Sequence, residues 1–381
     1  MYICLLCVRE PVITAKIPNL LYYHFMAQKI RIKDIAESAK VSPGTVDRVL
    51  HNRGNVSEKA RKAVEDALAR FNYRPNIHMS AISLRKKYRI IVTIPEFRDG
   101  DYWSGIHKGI LRAITEFDGL DIDCKFIFYD QFDLYSCKKA FRKVKASDCE
   151  AVIIGPTFRD ETINLAYVLE DKGIPYVFVD SMIEGTSPIA FFSSDQYKCG
   201  YLISKLLTSI CPEGSQFALF QAIRLGDNSS NVVILRKAGF NSYCEEHGIE
   251  DSVKQVMFSV VDPEKNEELI DGFFEKNPEV KGVAVLTARG HIIADFMRKH
   301  EIRNVKLVGL DLTKNNLRAI QSGEMDFVIA QRPGQQGFLA VKTLIKYLVY
   351  GGKPQRDNYL PLDIITRENV EYYSEFPEAS V

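Results

Sequence analysis

Eight short apolar runs constrain the fold of this chain more than any other feature. They are RIIVTIPE from Arg89, CKFIFYD from Cys124, AVIIGPT from Ala151, YVFVDS from Tyr176, QFALFQAI from Gln216, GVAVLT from Gly282, VKLVGLD from Val305 and DFVIAQ from Asp326. Each has the length of a strand, and most are followed by an amphipathic helical stretch, as YWSGIHKGILRAITEF follows the first. Such alternation marks βαβ units and parallel sheets covered on both faces. Roughly 290 residues of this pattern exceed one hydrophobic core, so two doubly wound lobes are predicted. In such sheets a ligand sits outside the carboxyl ends of the strands.

The segment before these runs has a different period. From Arg31 to Asn76 the spacing predicts three short helices with tight joints. Ile32, Ile35, Ala36 and Ala39 form the apolar face of the first. Ser42 and Pro43 suit the cap and first residue of the second, whose buried stripe is Val46, Val49 and Leu50. Gly54 suits a left-handed stop, and Ser57 caps a third helix with Ala60, Val64, Ala67, Leu68 and Phe71 inward. Two helices on so short a turn, closed by a third, predict a helix-turn-helix. Residues 27–88 hold fourteen Lys/Arg against six Asp/Glu, whereas the whole 381-residue chain is only +1. Positive charge concentrated on a small module is the footprint of phosphate binding.

Composition excludes several classes. No run of 18 apolar residues is present, so a membrane-spanning helix is not predicted. The eight cysteines are scattered (Cys124, Cys137, Cys149, Cys199, Cys211 and Cys244 besides Cys4 and Cys7), which fits reduced thiols in a cytoplasmic protein. Cys4 and Cys7 have CxxC spacing with no second pair to complete a zinc site. GxSxG, Walker A, HExxH and GxGxxG motifs are all absent, and none of the seven His pairs with another at metal-ligand spacing. Neither an enzyme, a metal nor a cofactor is expected. Residues 1–25 lack helical period and caps, and Arg9, Glu10 and Lys16 interrupt any signal-peptide core. We expect Met26 to be the native start.

The helical segment resembles the DNA-binding headpiece of the LacI/GalR transcription regulators. The matching residues are IKDIAESAKVS, TVDRVL, VSEKAR and FNYRPN, in the family's order and without a gap. The resemblance continues over about nine tenths of the chain. It implies residues 26–75 as the headpiece, 76–88 as a hinge helix or linker, and 89–381 as an effector domain of the type I periplasmic-binding-protein-like fold. Crossovers are expected near Phe192, Gln331 and Gly352. They divide an N-lobe (about 89–192 and 332–352) from a C-lobe (about 193–331 and 353–381).

By the same resemblance the start of the second helix lies in the major groove. Pro43, Gly44 and Arg48 then face the bases, and Arg48 has the fork that suits guanine. Gly44 has no side chain to read with, so specificity leans on Arg48, His51 and Asn55. Ser42, Thr45, Ser57 and Arg61 are candidate phosphate contacts. In the hinge, which starts at Asn76, Ile82 falls where the family carries an apolar wedge for the minor groove.

At the strand ends, Tyr102 and Trp103 follow the first apolar run, and their faces suit the apolar faces of a sugar ring. Asp180 and Ser181 end YVFVDS, Asp311 ends VGLD and Gln331 ends VIAQ. Arg236, in LRKAGF, matches a cleft arginine of the family. Two carboxylates and one guanidinium make a frame for vicinal hydroxyls. Thr287 stands where family members often offer Asn, and Arg289 nearby is read as favouring an acidic or phosphorylated sugar.

The resemblance thus implies a cytoplasmic homodimeric repressor-type regulator. Its expected partners are near-palindromic double-stranded operator DNA and a small carbohydrate effector, with no membrane. Alternatives are a non-sugar effector such as a purine, or a sugar receptor with no DNA role. The tail after Asn369 has no leucine heptad, so no tetramer device is expected.

Overall fold

The computed structural model describes residues 32–50, 56–71, 86–223, 230–260 and 262–375. The chain forms two compact units, residues 1–77 and 78–381.

The first unit has the three predicted helices: α1 (Ile32–Ala39), α2 (Pro43–Leu50) and α3 (Glu58–Arg70). Ile35, Ala36, Ala39, Val46, Val49, Val64 and Ala67 are its buried core. Phe71, expected inward, lies one residue past α3 and is exposed. α1 ends in a Schellman turn: Val41 N–H donates to Ala36 C=O (3.0 Å) and Lys40 N–H to Glu37 C=O (3.2 Å). Lys40 holds the left-handed position that glycine usually fills, with φ 53°. Ser42 Oγ then accepts from Thr45 N–H (3.2 Å), and Ser57 Oγ accepts from Ala60 N–H (3.4 Å). Gly54, Arg31 and the leader lie outside the described residues.

The second unit contains two six-stranded sheets. The first sheet holds β1 (Lys87–Pro95), β2 (Asp121–Tyr129), β3 (Ala151–Ile154), β4 (Tyr176–Val179), β5 (Ala190–Ser193) and β11 (Asp357–Tyr359), in the order β11-β5-β4-β3-β1-β2. The second holds β6 (Gln216–Ala222), β7 (Val253–Phe258), β8 (Val280–Val285), β9 (Lys306–Leu310), β10 (Phe327–Ala330) and β12 (Asp363–Ile365), in the order β12-β10-β9-β8-β6-β7. All pairings are parallel except β10 with β12. Each sheet begins inside and winds outward both ways. The winding reverses between β1 and β3 in one lobe and between β6 and β8 in the other. These switch points open a crevice at the carboxyl ends of the strands.

The predicted runs are all strands. The sequence reading missed β5, β7, β11 and β12. Two crossovers fall where expected, after β5 and at Gln331-Arg332. The helix after the first, α7 (Gln196–Ile210), packs Cys199, Ile203 and Leu207 on the second sheet. The helix after the second, α12 (Pro333–Tyr350), packs Phe338, Val341 and Leu344 on the first. The third crossover corrects the expectation near Gly352: β11 still belongs to the first sheet, so the chain changes lobe between Tyr359 and Asp363. The C-lobe therefore resumes about ten residues later than expected.

Candidate functional site

The switch-point crevice is a cavity between the lobes, with Tyr102, Trp103, Asp180, Arg236, Thr287 and Asp311 in its wall. The lobes are drawn together around it. Lys314 N–H donates to Gly100 C=O (2.9 Å), Asn231 Nδ2 donates to Met182 C=O (3.0 Å), and Arg289 Nη1 lies 3.8 Å from Asp101 Oδ1.

Tyr102 and Trp103 open α4 (Tyr102–Glu116), the helix that follows β1. Their rings meet edge to face, with centroids 5.3 Å apart. Tyr102 Oη donates to Asp180 Oδ1 (2.8 Å) and lies 3.3 Å from Gln336 Nε2. Trp103 Nε1 donates to Gln131 Oε1 (3.2 Å). The indole lies over Gly155, where a Cβ would come within 2.6 Å of the ring. Gly155, alone in sequence, is thus the floor that makes room for Trp103.

Asp180 and Asp311 are each 5% exposed, and both have left-handed backbone, φ 76° and 62°. Non-glycine residues in that region cluster at functional sites. Arg236, in α8 (Asn231–Glu246), is buried and hydrogen-bonded through each of its three side-chain nitrogens. Its Nε donates to Gln196 Oε1 (2.8 Å), Nη1 to Leu286 C=O (2.9 Å) and Nη2 to Gln331 Oε1 (3.1 Å). Gln331 Nε2 donates in turn to Asp311 Oδ1 (2.9 Å), and Gln196 Nε2 to Asp180 C=O (3.0 Å). Arg236 is therefore tied to both acids through two amides. Burial pushes the Asp311 carboxyl up to about 7, against the pull of Arg236 and Gln331. Burial also raises Asp180, against Arg236 and the Tyr102 hydrogen bond.

Two expected contact residues stand behind the wall. Ser181 turns its hydroxyl to Pro156 C=O (3.3 Å), and Gln331, at 0% exposure, is the amide between Arg236 and Asp311. Thr287 does line the cavity, and its buried Oγ1 has no hydrogen-bond partner among the described residues. Sequence reasoning missed Glu96, Gln131 and Phe132 in the wall, and Gln196 and Gln336 beneath it. Glu96 was findable as the last residue of RIIVTIPE. The amides carried no signal, because their partners are up to 234 residues away.

In the first unit Ser42, Pro43, Gly44, Arg48 and Ser57 are exposed, and Thr45 and Arg61 are half-buried. Ser42 and Thr45 share a hydroxyl–hydroxyl bond of 3.0 Å at the start of α2. A side chain at Gly44 would meet little but Ser42 Oγ at 3.8 Å, so packing does not demand glycine there. His51, Asn55, Asn76 and Ile82 lie outside the described residues.

A three-helix headpiece and a two-lobed, switch-point cleft define a ligand-responsive DNA-binding regulator. Known proteins agree with that class. The family model described as "Bacterial regulatory proteins, lacI family" matches residues 31–76, and "Periplasmic binding protein domain" matches residues 90–354. The chain belongs to the LacI family of DNA-binding transcriptional regulators, with a periplasmic-binding-protein-like domain. It is 25% identical over 343 residues to the HTH-type transcriptional regulator RegA of Clostridium saccharobutylicum, covering 89% of this chain and 98% of the relative. It is 24% identical to the ribose operon repressor of Halalkalibacterium halodurans, covering 89% and 97%. A crystal structure described as a LacI transcriptional regulator from Bacteroides fragilis superimposes with a TM-score of 0.72 at 29% identity, covering 76% of this chain and 100% of that one. Among the described residues no helix is long and apolar enough to cross a membrane.

Proposed function

We propose that this regulator binds a near-palindromic operator as a homodimer in the cytoplasm, and that a small carbohydrate between its lobes sets the affinity. The observation that carries the effector half is the frame of Asp180, Arg236 and Asp311 beside Tyr102 and Trp103. Each buried carboxylate has one oxygen committed within the protein, to Tyr102 or to Gln331, and the other is available to a ligand hydroxyl. The aromatic rings suit the apolar face of a pyranose or furanose. A relative that is a ribose operon repressor supports the same reading.

For DNA, Arg48 reads base edges, while Ser42, Thr45, Ser57 and Arg61 hold phosphates and Pro43 and Gly44 allow close approach. His51, Asn55, Asn76 and Ile82 complete the contact set. The protein acts by population shift and not by catalysis. An effector that favours closed lobes over open ones changes operator affinity by its differential affinity for the two states.

Selection from a random duplex library by the full chain tests the proposal. It should return a near-palindromic site, bound with a steep salt dependence. An effector should then change affinity for that site. Enrichment of half-sites alone would end the dimer reading, and no enrichment would end the operator reading.

A further inference from the structure

The charges of the cleft are unequal, and the difference bears on what enters it. Four carboxylates line the cavity: Glu96, Asp101, Asp180 and Asp311. The cations in its wall are Arg236 and Arg289. Arg236 donates from all three of its nitrogens to Gln196, Leu286 and Gln331. Arg289 faces Asp101 across the mouth at 3.8 Å. Arg236 is thus held by three neutral oxygens behind the wall and Arg289 by Asp101, so Arg289 is a bridge between lobes and not a free anchor for an anion. The acids are less occupied. Asp180 and Asp311 each have one carboxylate oxygen engaged, and Glu96 has no side-chain partner among the described residues. Thr287 adds a buried hydroxyl with no partner among the described residues.

We infer that the cleft selects donor-rich ligands without negative charge, and that Glu96 is a specificity residue enforcing this. The inference rests on the carbohydrate reading above and narrows its class. The ligand is a polyol, neutral or bearing an amine, and sugar acids and sugar phosphates are rejected. The cause is desolvation. An anion entering a closed, acidic cavity loses its water and meets carboxylates with no spare cation to replace it. Ligand hydroxyls instead donate to the free oxygens of Asp180 and Asp311, charge-assisted bonds of the stronger kind. Glu96 lies exposed one residue past β1 at the switch point, where its charge repels an incoming acid and its carboxylate accepts from a hydroxyl or an ammonium group.

The test is thermal unfolding of the full chain against matched sets: glucose, glucosamine, glucuronate and glucose 6-phosphate; the galactose series; and ribose with ribose 5-phosphate. A neutral or amino member should stabilise, with its acid and phosphate counterparts at least tenfold weaker. Glu96→Lys should shrink that gap tenfold or more, and Glu96→Gln by less. An acid or phosphate binding as tightly as its neutral counterpart would overturn the inference while leaving the carbohydrate reading intact. An unchanged gap in Glu96→Lys would remove Glu96 from it. Silence from every member would instead overturn the carbohydrate reading, and this inference with it.

Discussion

Asp180 and Asp311 occupy equivalent places in the two lobes, each one residue past the fourth strand of its sheet and each in a left-handed backbone conformation. Both are linked to one guanidinium, the Asp180 main-chain carbonyl through Gln196 and the Asp311 carboxylate through Gln331. Burial raises both carboxyls, Asp311 to about 7. A carboxyl raised in the fold holds its proton more tightly there than in the unfolded chain. Its contribution to stability is full below the ordinary carboxylate range and is lost as pH rises towards about 7. Asp311→Asn should therefore stabilise the effector domain at pH 8 by at least about 1 kcal/mol and flatten its melting curve between pH 4 and 7. Effector affinity of the native chain should rise between pH 6 and 8, and the variant should lose it. A variant less stable than the native chain at pH 8 would contradict the assignment.

Trp103 is the single tryptophan of the chain and stands in the cleft wall over Gly155. Gly155→Ala puts a Cβ within 2.6 Å of the indole, which must shift. We expect a cost of about 1–3 kcal/mol by overpacking and a changed emission maximum. Effector binding should change the same emission in the native chain. An Ala variant with native emission and stability would show that Trp103 does not rest on Gly155.

The headpiece was legible because its signals are local. Apolar spacing, Ser42 and Ser57 as caps, and the break at Val41-Ser42-Pro43-Gly44 each act within four residues, and each is found in place. The long apolar strands were legible for the same reason. β11 and β12 were not: three-residue strands with half-polar composition take their conformation from their neighbours β5 and β10. The third crossover was misjudged because Gly351 ends α12 in a left-handed cap, which reads in sequence as the end of a lobe. The chain first returns to the edge of the first sheet. In the cleft, strand-end position made Asp180 and Asp311 visible, and resemblance made Arg236 visible. The charge of Arg289 was read without its partner, because Asp101 belongs to the other lobe.

Asp101 and Arg289 are each about a quarter exposed, and their 3.8 Å pair spans the cleft mouth. An ion pair so placed contributes little to stability, on the order of 1 kcal/mol or less. Its effect should fall on closure. Arg289→Ala should leave the melting temperature of the free chain nearly unchanged and weaken effector binding several-fold, through faster release. Stopped-flow release rates would check this. Equal weakening of association and release would argue against a latch.

The Schellman turn after α1 gives a stability prediction for the DNA-binding unit. Lys40 adopts φ 53° with its side chain exposed, a strained conformation for any residue with a Cβ. Lys40→Gly should stabilise the headpiece by roughly 1 kcal/mol, seen as slower amide exchange in α1 and α2. Gly44 differs, because nothing around it requires glycine. Gly44→Ser should fold as well as the native chain and change operator preference, since it adds a hydroxyl to the exposed start of α2. Arg48→Ala should cost about 1–3 kcal/mol at one operator position while non-specific DNA binding changes far less. Equal loss on specific and random duplexes would place Arg48 on phosphate and leave base reading to its neighbours.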